Sequence, residues 1–404
     1  MAGVKKRKTQ SAKRKAGKPK LKKKKISATK KITKKMVVKK RVTKRRIIKR
    51  KTPKVLTKHK GNPIMGPTPH SPWESAAVFN PGAVLHDGRV HLFYRALGND
   101  GLSRIGYASS ADGIHFDKRS GYPVFIAQNF EEASKHFPKT SPARLAYDKV
   151  LYASGGGWGG CEDPRAVKID GRIYLTFNMF NGWDSMRVAF TSLDENDLNK
   201  MNWDWSDYAY LSPPGDRQKN WVLFPEKING KFAVLHNIDM GDTARVHIAY
   251  LDRLDQSLAP RQKDAPDVHT LPDHVVAWHN RTRSAAAPPI RTDHGWLLFY
   301  HAMDKNDPGR YKVGAMLLDL NDPSKVLYRS AYPLIEPDEW YENDWKPGIV
   351  YANGAVVKDG TLFIYYGGGD KYVAVAHTKL DNFMKKLMHR EHIVFDIDKT
   401  LTPV

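Results

Sequence analysis

Two adjacent carboxylates stand out in the segment GGCEDPR, where Glu162 and Asp163 precede Pro164 and Arg165. A carboxylic acid can donate a proton to a leaving group or accept one from a nucleophile. An Asp before a proline is also common in turns, where its side chain caps the backbone. The EDPR pattern occurs in one of five related segments of the chain, which favours chemistry at Asp163. We expect Glu162 to hold Arg165 in a salt bridge.

The elements that must position these residues repeat along the chain from about residue 76. Each copy has a strand-like run, a two-residue turn ending in glycine, and a second apolar run. Such turns between alternating runs predict β-hairpins, because glycine accepts the positive φ that tight turns need. Five all-β units without long helical patterns predict a five-bladed β-propeller. The turn glycines are Gly88, Gly171, Gly230, Gly295 and Gly360.

Polar residues recur at corresponding positions in these copies. Four copies begin their first run with a proline, and we expect the residues before it to converge at a central channel. The ends of the second runs should converge there as well. A polar ring inside a β scaffold needs partners or a ligand. The residues before the prolines are Asn80, Asp163, Phe224 and Pro288, and those at the ends of the second runs are Arg95, Asn178, Asn237, His301 and Asp370.

Several motifs in order resemble glycoside hydrolase family 130, the β-mannoside phosphorylases and related mannosidases. The resemblance covers about residues 76–382 and includes NPGAV, GGCEDPR, KNWVLFPEKING, GWLLFYHAMD and YYGGGD. It implies a five-bladed β-propeller enzyme that cleaves or forms β-mannosidic bonds by inverting phosphorolysis. The expected substrates are a β-1,4-mannosyl oligosaccharide and inorganic phosphate, and the expected product is mannose 1-phosphate. No cofactor and no metal are expected.

The resemblance also implies roles for individual residues. The acid of such a reaction should have a raised pKa, which a confined site near a second carboxylate can supply. The residues that match the family are Asp163 as the catalytic acid, Asn80, Arg95 and Asp370 around the mannose that is cleaved, and Lys219, Asn220, His301 and Tyr311 near the phosphate.

The chain departs from the family where the phosphate should be held. Asn237 replaces an arginine, and the run RTRSAAAPPI has alanines where glycines are more usual. Water could therefore act in place of phosphate, and hydrolysis would need a second carboxylate about 6.5–9.5 Å from the first. Candidates for that carboxylate are Glu226, Asp239 and Asp304. A catalytically silent glycan-binding propeller is the other alternative.

The net charge of +25 is distributed very unevenly. Residues 1–60 hold 29 of the 67 basic residues and none of the 42 acidic ones, which leaves the rest with 38 basic and 42 acidic residues, a net charge of −4. The sequence predicts a disordered Lys/Arg-rich arm that contacts nucleic acid or another polyanion without reading its sequence.

The sequence also predicts the domain boundaries and the cellular compartment of the protein. We divide the chain into the arm 1–60, a linker 61–75, the propeller catalytic domain 76–390 and a C-terminal extension 391–404. The single cysteine, Cys161, excludes an internal disulfide framework. No segment is typical of a secretory signal or a membrane span, so we expect a cytoplasmic protein.

Overall fold

The computed structural model describes residues 56–127, 130, 156–181, 186–214, 217–236, 246–255 and 278–390, and the backbone of 395–396. All of these belong to one compact unit, Thr52–Val404. The arm predicted for residues 1–60 lies outside the described residues as far as position 55, as do Asn237 and Asp239.

The described chain is all-β with little helix. Its strands form four hydrogen-bonded sheets, and in the largest of them two successive antiparallel groups are joined by a short parallel pairing, so that five groups follow one another along the chain. The first group is β2 (Ala77–His86), β3 (Arg89–Leu97), β4 (Leu102–Ser110) and β5 (Lys118–Arg119); the second is β6 (Gly159–Ile169), β7 (Arg172–Phe180), β8 (Arg187–Asp194) and β9 (Ala209–Tyr210); the third is β10 (Val222–Leu223), β11 (Phe232–His236) and β12 (His247–Leu251); the fourth is β13 (Arg281–Ala285), β14 (Ile290–Thr292), β15 (Gly295–Asp304), β16 (Asp307–Leu318) and β17 (Val326–Arg329); the fifth is β18 (Val350–Lys358), β19 (Thr361–Gly368) and β20 (Tyr372–Lys379), extended by β1 (Leu56–Lys58) and β21 (Phe395–Asp396). The helices are α1 (Glu195–Lys200) and α2 (Leu380–Met388), with 3₁₀ turns at Pro72–Glu74 and Trp340–Glu342. None of the described helices has the length and apolar character needed to cross a membrane.

The hairpin turns predicted from Asp-Gly and Asn-Gly are confirmed in four of the groups. Both turn residues have positive φ in each case, which is the geometry of the turns that match the twist of paired strands. In the fourth group, where His294 precedes the glycine, Gly295 alone is in this region, with φ 143°. The φ values are 45° and 71° at Asp87–Gly88, 49° and 76° at Asp170–Gly171, 52° and 79° at Asn229–Gly230, and 50° and 67° at Asp359–Gly360.

The apolar core lies between the groups. Five clusters of buried apolar side chains each join one group to the next, and one of them joins the fifth group to the first. Burial of this kind stabilises a sheet only where a second sheet covers it, so each group depends on both neighbours. Representative pairs within these clusters are Phe93 with Phe177, Val167 with Trp221, Phe224 with Trp296, Leu297 with Ile364, and Leu92 with Phe363.

The segment before β2 belongs to the fold, which corrects the boundary predicted at residue 60 and the linker predicted for 61–75. Strand β1 pairs antiparallel with β20, and β21 pairs parallel with β1. Lys58 Nζ lies 2.8 Å from the Glu342 carboxylate, and both side chains are buried. Met65 forms a further bridge with Val373. Strand pairing covers the outer edge of the fifth group, and a buried lysine requires such an anionic partner.

Candidate active site

Four first strands carry a β-bulge, and three of these strands, β2, β6 and β18, come into backbone contact beside their bulges. The ladder is interrupted in β2 after Phe79, in β6 after Glu162, in β13 after Thr282 and in β18 after Ala352. A bulge takes a residue out of the ladder and aims its side chain in a new direction. The side chains that the bulges place in this way are those of Asn80, Asp163, Arg283 and Asn353.

Local backbone chemistry explains why Asn and Asp occupy two of these bulges. Asn80 has φ 48° and Asp163 has φ 50°, in the left-handed region. Asn and Asp adopt this conformation more readily than other residues that carry a side chain. Asn220 and Asp370, which lie in loops beside the bulges, have φ 63° and 52°. Asn or Asp before a proline was therefore a meaningful sequence signal.

The Asp163 carboxylate is surrounded by hydrogen-bond donors and is 13% exposed. Asn80 Nδ2 donates to Oδ1 at 2.7 Å, and Arg95 Nη1 donates to the same oxygen at 3.4 Å. Asn178 Nδ2 donates to Oδ2 at 3.4 Å. Four residues from β2, β3, β6 and β7 thus meet at one carboxyl group, as the sequence predicted for Asn80, Arg95 and Asp163.

The pKa of Asp163 is lowered, which is opposite to the expected shift. Burial acts to raise the pKa, but the charge of Arg95, the hydrogen bond from Asn80 and the charges of Arg165 and Lys219 outweigh it. The sequence prediction assumed a second carboxylate nearby and did not count these donors, which favour the ionised form.

Glu162 pairs with Arg95 and leaves Arg165 to main-chain oxygens, which corrects the expected partner of Glu162. Arg95 Nη2 lies 2.7 Å from Glu162 Oε1, with both side chains at most 2% exposed. Arg165 is also buried, and it donates to Asp163 O at 2.8 Å and Ala286 O at 3.0 Å. The EDPR segment is therefore tied to the first and fourth groups at once.

Lys219 and Arg283 form a cationic part of the same site. The pKa of Lys219 is lowered to about 8 by burial and by the neighbouring charge of Arg283, partly offset by Asp163. Arg283 also lies over the ring of Tyr311, with its Cζ 6.0 Å from the ring centroid. Two cations whose charges act on each other favour an anionic ligand, and Arg can bind phosphate oxygens with two parallel donors.

Asn220 and Asp370 are each linked to the site by a hydrogen bond to a different partner. The Asn220 amide N–H donates to Asn178 Oδ1 at 2.8 Å, which links the loop before β10 to the Asp163 neighbourhood. Asp370 is buried, and its Oδ2 accepts from Lys346 Nζ at 2.8 Å. The charge of Lys346 also acts on Lys219.

His301 is fully buried, and both of its ring nitrogens have partners. Nε2 accepts from the amide of Ala352 at 2.9 Å, and Nδ1 lies 3.1 Å from Ser284 Oγ. Its ring stacks on Tyr351 with centroids 3.8 Å apart. Burial and the charges of Arg165 and Arg283 hold the pKa of His301 well below its usual range, so the ring is neutral at pH 7. The histidine therefore supports the site wall in this state.

Several other sequence expectations are decided by burial and pairing. Phe224, which was expected to converge at the channel with the other residues that precede prolines, instead packs in the core against Trp296. Glu226 pairs with Arg291 at the exposed surface. Asp304 caps a turn by accepting from the amide of Asn306 at 2.8 Å.

Four contributors were missed by the sequence reading. Arg283 and Asn353 lie at bulges that no proline marks, and Lys346 lies in the long connection between the fourth and fifth groups. Tyr351 directly precedes Ala352 in β18. A signal existed for Asn353, because the fifth copy has Ala352–Asn353 where the other copies have a residue followed by proline. Arg283 and Lys346 had no comparable local signal.

Taken together, the arrangement combines one acid held by donors, polar groups suited to sugar hydroxyls, and two neighbouring cations. An acid can protonate the leaving oxygen of a glycoside, and cations can hold an anionic nucleophile. The site is therefore suited to glycoside cleavage with a bound anion.

Comparisons with known proteins agree with this chemistry. The profile of glycoside hydrolase family 130, described as beta-1,4-mannooligosaccharide phosphorylase, matches residues 151–389. A 1,2-beta-oligomannan phosphorylase from Thermoanaerobacter sp. (strain X514) is 34% identical over 331 residues, which are 80% of this chain and 96% of that protein. A beta-1,4-mannooligosaccharide phosphorylase from Ruminococcus albus is 29% identical and covers 81% of this chain and 89% of its own length.

A solved structure supports the fold. The beta-1,2-mannobiose phosphorylase from Listeria innocua superposes with a TM-score of 0.60 at 23% identity, covering 82% of this chain and 99% of that one. The family profile spans more than half of the chain, and the Thermoanaerobacter relative spans four fifths of it. The protein is thus an enzyme of the glycoside phosphorylase type and belongs to glycoside hydrolase family 130.

Proposed function

We propose that this enzyme cleaves β-mannosidic bonds by inverting phosphorolysis, with the five strand groups as the blades of a closed five-bladed β-propeller. The observation that carries the proposal is the Lys219–Arg283 cation pair beside the Asp163 carboxyl group. The mannosyl group passes to inorganic phosphate and gives mannose 1-phosphate. The core clusters that join every group to the next support the closed ring.

Asp163 supplies the proton to the leaving oxygen. The bond between the anomeric carbon and that oxygen breaks as a phosphate oxygen attacks the opposite face of the sugar, which inverts the configuration. The proton that Asp163 gives up is replaced by the one carried by hydrogen phosphate. Asn80 and Arg95 hold the acid and, with Asp370, line the pocket for the mannose that is cleaved.

Phosphate binding falls to residues around the cation pair. Lys219 and Arg283 supply the charge, and Asn220 and Tyr311 supply neutral donors close to them. His301 has both nitrogens occupied, so its role is to support Tyr351 and the amide of Ala352 from behind. Arg283 thereby supplies the positive charge that the family usually draws from an arginine at the position of Asn237.

Hydrolysis is the less favoured alternative, because two of its candidate bases are committed elsewhere. Glu226 is in an exposed pair with Arg291, and Asp304 caps a turn. The third candidate, Asp239, lies outside the described residues. The silent binding module is not favoured either, since the alanines that suggested it are fully buried at 285–287, where side-chain bulk is excluded by packing.

A substrate panel with and without phosphate tests the proposal. The relatives are named for β-1,2 and β-1,4 linkages, so the panel includes both mannobioses and mannosyl-glucose. We expect mannose 1-phosphate from at least one substrate, only with phosphate, and loss of about a thousandfold or more in kcat for Asp163→Asn. Release of free mannose at the same rate without phosphate would establish hydrolysis instead. Sugar binding without turnover of any substrate would establish the binding module.

The basic arm has a separate role, which is contact with a polyanion. It holds 29 basic and no acidic residues in positions 1–60, whereas the remainder of the chain has a net charge of −4. Such contact neutralises phosphates and releases counterions, and it does not depend on nucleotide sequence.

A further inference from the structure

The bulge residue of β18, Asn353, is fully buried and bridges two other strands. Its Nδ2 donates to the carbonyl oxygen of Asn80 at 3.3 Å and to that of Pro164 at 3.5 Å. These carbonyls belong to residues that the bulges of β2 and β6 take out of the strand register. A buried carbonyl without a donor is costly, and one amide group donates to both of these carbonyls.

The three strands can meet at this point because glycines bring their backbones together. A β-carbon on Gly82 would lie 2.8 Å from Pro164 O, and one on Gly354 would lie 2.7 Å from Pro81 O. The strands are therefore in backbone contact on both sides of Asn353. Because main-chain atoms are in contact here, no flexible side chain can adjust to a small shift of one bulge against another.

We infer that Asn353 is a positioning residue for catalysis, which fixes the bulge that carries Asn80 against the bulge that carries Asp163. The 2.7 Å hydrogen bond from Asn80 to Asp163 Oδ1 joins these same two bulges. Asn353 holds their main chains, and Asn80 then reaches the carboxyl group in a fixed geometry. The inference rests on the proposed function for the identity of the acid, but the contacts themselves do not.

The orientation of the Asn353 amide follows from its partners. Both neighbours of Nδ2 are carbonyl oxygens, so a reversed amide would place Oδ1 against two acceptors. Oδ1 has no hydrogen-bond partner among the described residues. The site thus requires a donor at this position, which explains an asparagine where the other copies have proline.

Removal of the bridge should alter the acid as well as the stability. In Asn353→Ala the hydrogen bond from Asn80 to Asp163 lengthens, and the pKa of Asp163 rises because that bond favours the ionised form. The general acid is active when protonated, so the fall of kcat/KM at high pH moves to higher pH. We expect kcat/KM at its optimum to drop roughly 10- to 100-fold, as for other small misplacements of a catalytic group.

The control is Asn62→Ala, since Asn62 also donates from Nδ2 to a main-chain carbonyl, that of Val375, at 3.0 Å. It should lower the Tm and leave the position of the pH profile unchanged. Asn353→Ser keeps a hydroxyl donor that is too short to reach both carbonyls, and it replaces Asn353→Ala if that variant does not fold. A folded Asn353 variant with a wild-type pH profile and wild-type kcat/KM would overturn the inference.

A second readout separates this inference from the proposed function. The Tm of the wild type is compared with that of Asp163→Asn, and the Tm of Asn353→Ala with that of the double variant Asn353→Ala/Asp163→Asn, from pH 7 to pH 3. A carboxyl group with a depressed pKa stabilises the fold above its unfolded pKa, and this contribution is lost as the pH falls. The contribution that is lost should be smaller in Asn353→Ala than in the wild type. An equal loss would contradict the inference even for a wild-type protein that shows no phosphorolysis, an outcome that would by itself overturn only the proposed function.

Discussion

At the scale of single residues, the site joins two demands that oppose each other. In the proposed reaction Asp163 must carry a proton, yet the charge of Arg95, the hydrogen bond from Asn80 and the charges of Arg165 and Lys219 lower its pKa. The same positive charges are what an incoming phosphate dianion needs. Bound phosphate supplies negative charge beside the carboxylate and disfavours its ionised form, so the nucleophile itself should help to protonate the acid.

This coupling predicts a phosphate-dependent pH profile. At low phosphate the pKa of Asp163 stays depressed. The carboxyl group then loses its proton at low pH, so turnover should begin to decline at a low pH as the pH is raised. Saturating phosphate raises the pKa, and the decline at high pH should move upward. Rates of mannose 1-phosphate formation across pH 4–9, measured at both phosphate levels, check this. A decline that stays in place or moves to lower pH with phosphate would contradict it.

Lys219 predicts a second pH effect, on the affinity for phosphate. Its pKa is lowered to about 8, so the ammonium loses its proton as the pH rises through that value. The KM for phosphate should therefore increase above about pH 8, and Lys219→Gln should raise it at lower pH and remove the increase.

The matched control is Lys227→Gln, because Lys227 pairs with Asp170 at the surface. This variant should keep the wild-type KM at every pH. The prediction fails if Lys219→Gln retains both the wild-type KM and its pH dependence.

At the scale of elements, bulges and close strand contacts build the site. Regular strands would leave Asn80, Asp163, Arg283 and Asn353 paired within their own ladders. The bulges release them, and Gly82 and Gly354 let the strands that carry them approach. Hairpin turns could be predicted from sequence, because Asp-Gly and Asn-Gly are local signals. The contacts made at the bulges without proline could not, because they arise from packing against distant strands.

Gly82→Ala tests this close approach. Its β-carbon would lie 2.8–3.0 Å from backbone atoms of Pro164, Arg165 and Ala166, which cannot rotate away. We expect a loss of about 1–3 kcal/mol in the free energy of unfolding, the usual cost of overpacking, together with reduced turnover.

Gly121→Ala is the control for this change, because its β-carbon would have no atom within 4 Å. Denaturant titration of both variants gives the comparison. Equal stability of the two would show that the first and second groups are not in the tight contact described.

At the scale of the whole molecule, the excess of positive charge lies apart in the sequence from the candidate site. Every site residue lies between Asn80 and Asp370, whereas the positive excess lies in residues 1–60. Strand β1 begins at Leu56, and Lys58 pairs with the buried Glu342. A truncation of the arm must therefore end before residue 56 if the fold is to keep β1.

Deletion of residues 1–51 tests the arm without removing β1. We expect turnover of a mannobiose to stay within about twofold of the full chain, while retention of DNA at low salt is lost. Mobility-shift titrations of both proteins over a salt series provide the measurement, because contacts to phosphates weaken steeply as salt rises. DNA binding that survives the deletion, or that does not respond to salt, would contradict the role of the arm.

The sequence by itself determined the all-β repeats, the four hairpin turns with positive φ and the uneven charge, and it singled out Asp163 as the candidate acid. Each of these follows from neighbouring residues or from composition. Only the tertiary structure decided that Glu162 pairs with Arg95, that the pKa of Asp163 is lowered, and that Arg283, Lys346 and Asn353 join the site. These residues come from different strand groups and from a long connection, so their meeting depends on which backbones pack together, and no local pattern in the sequence encodes those distances.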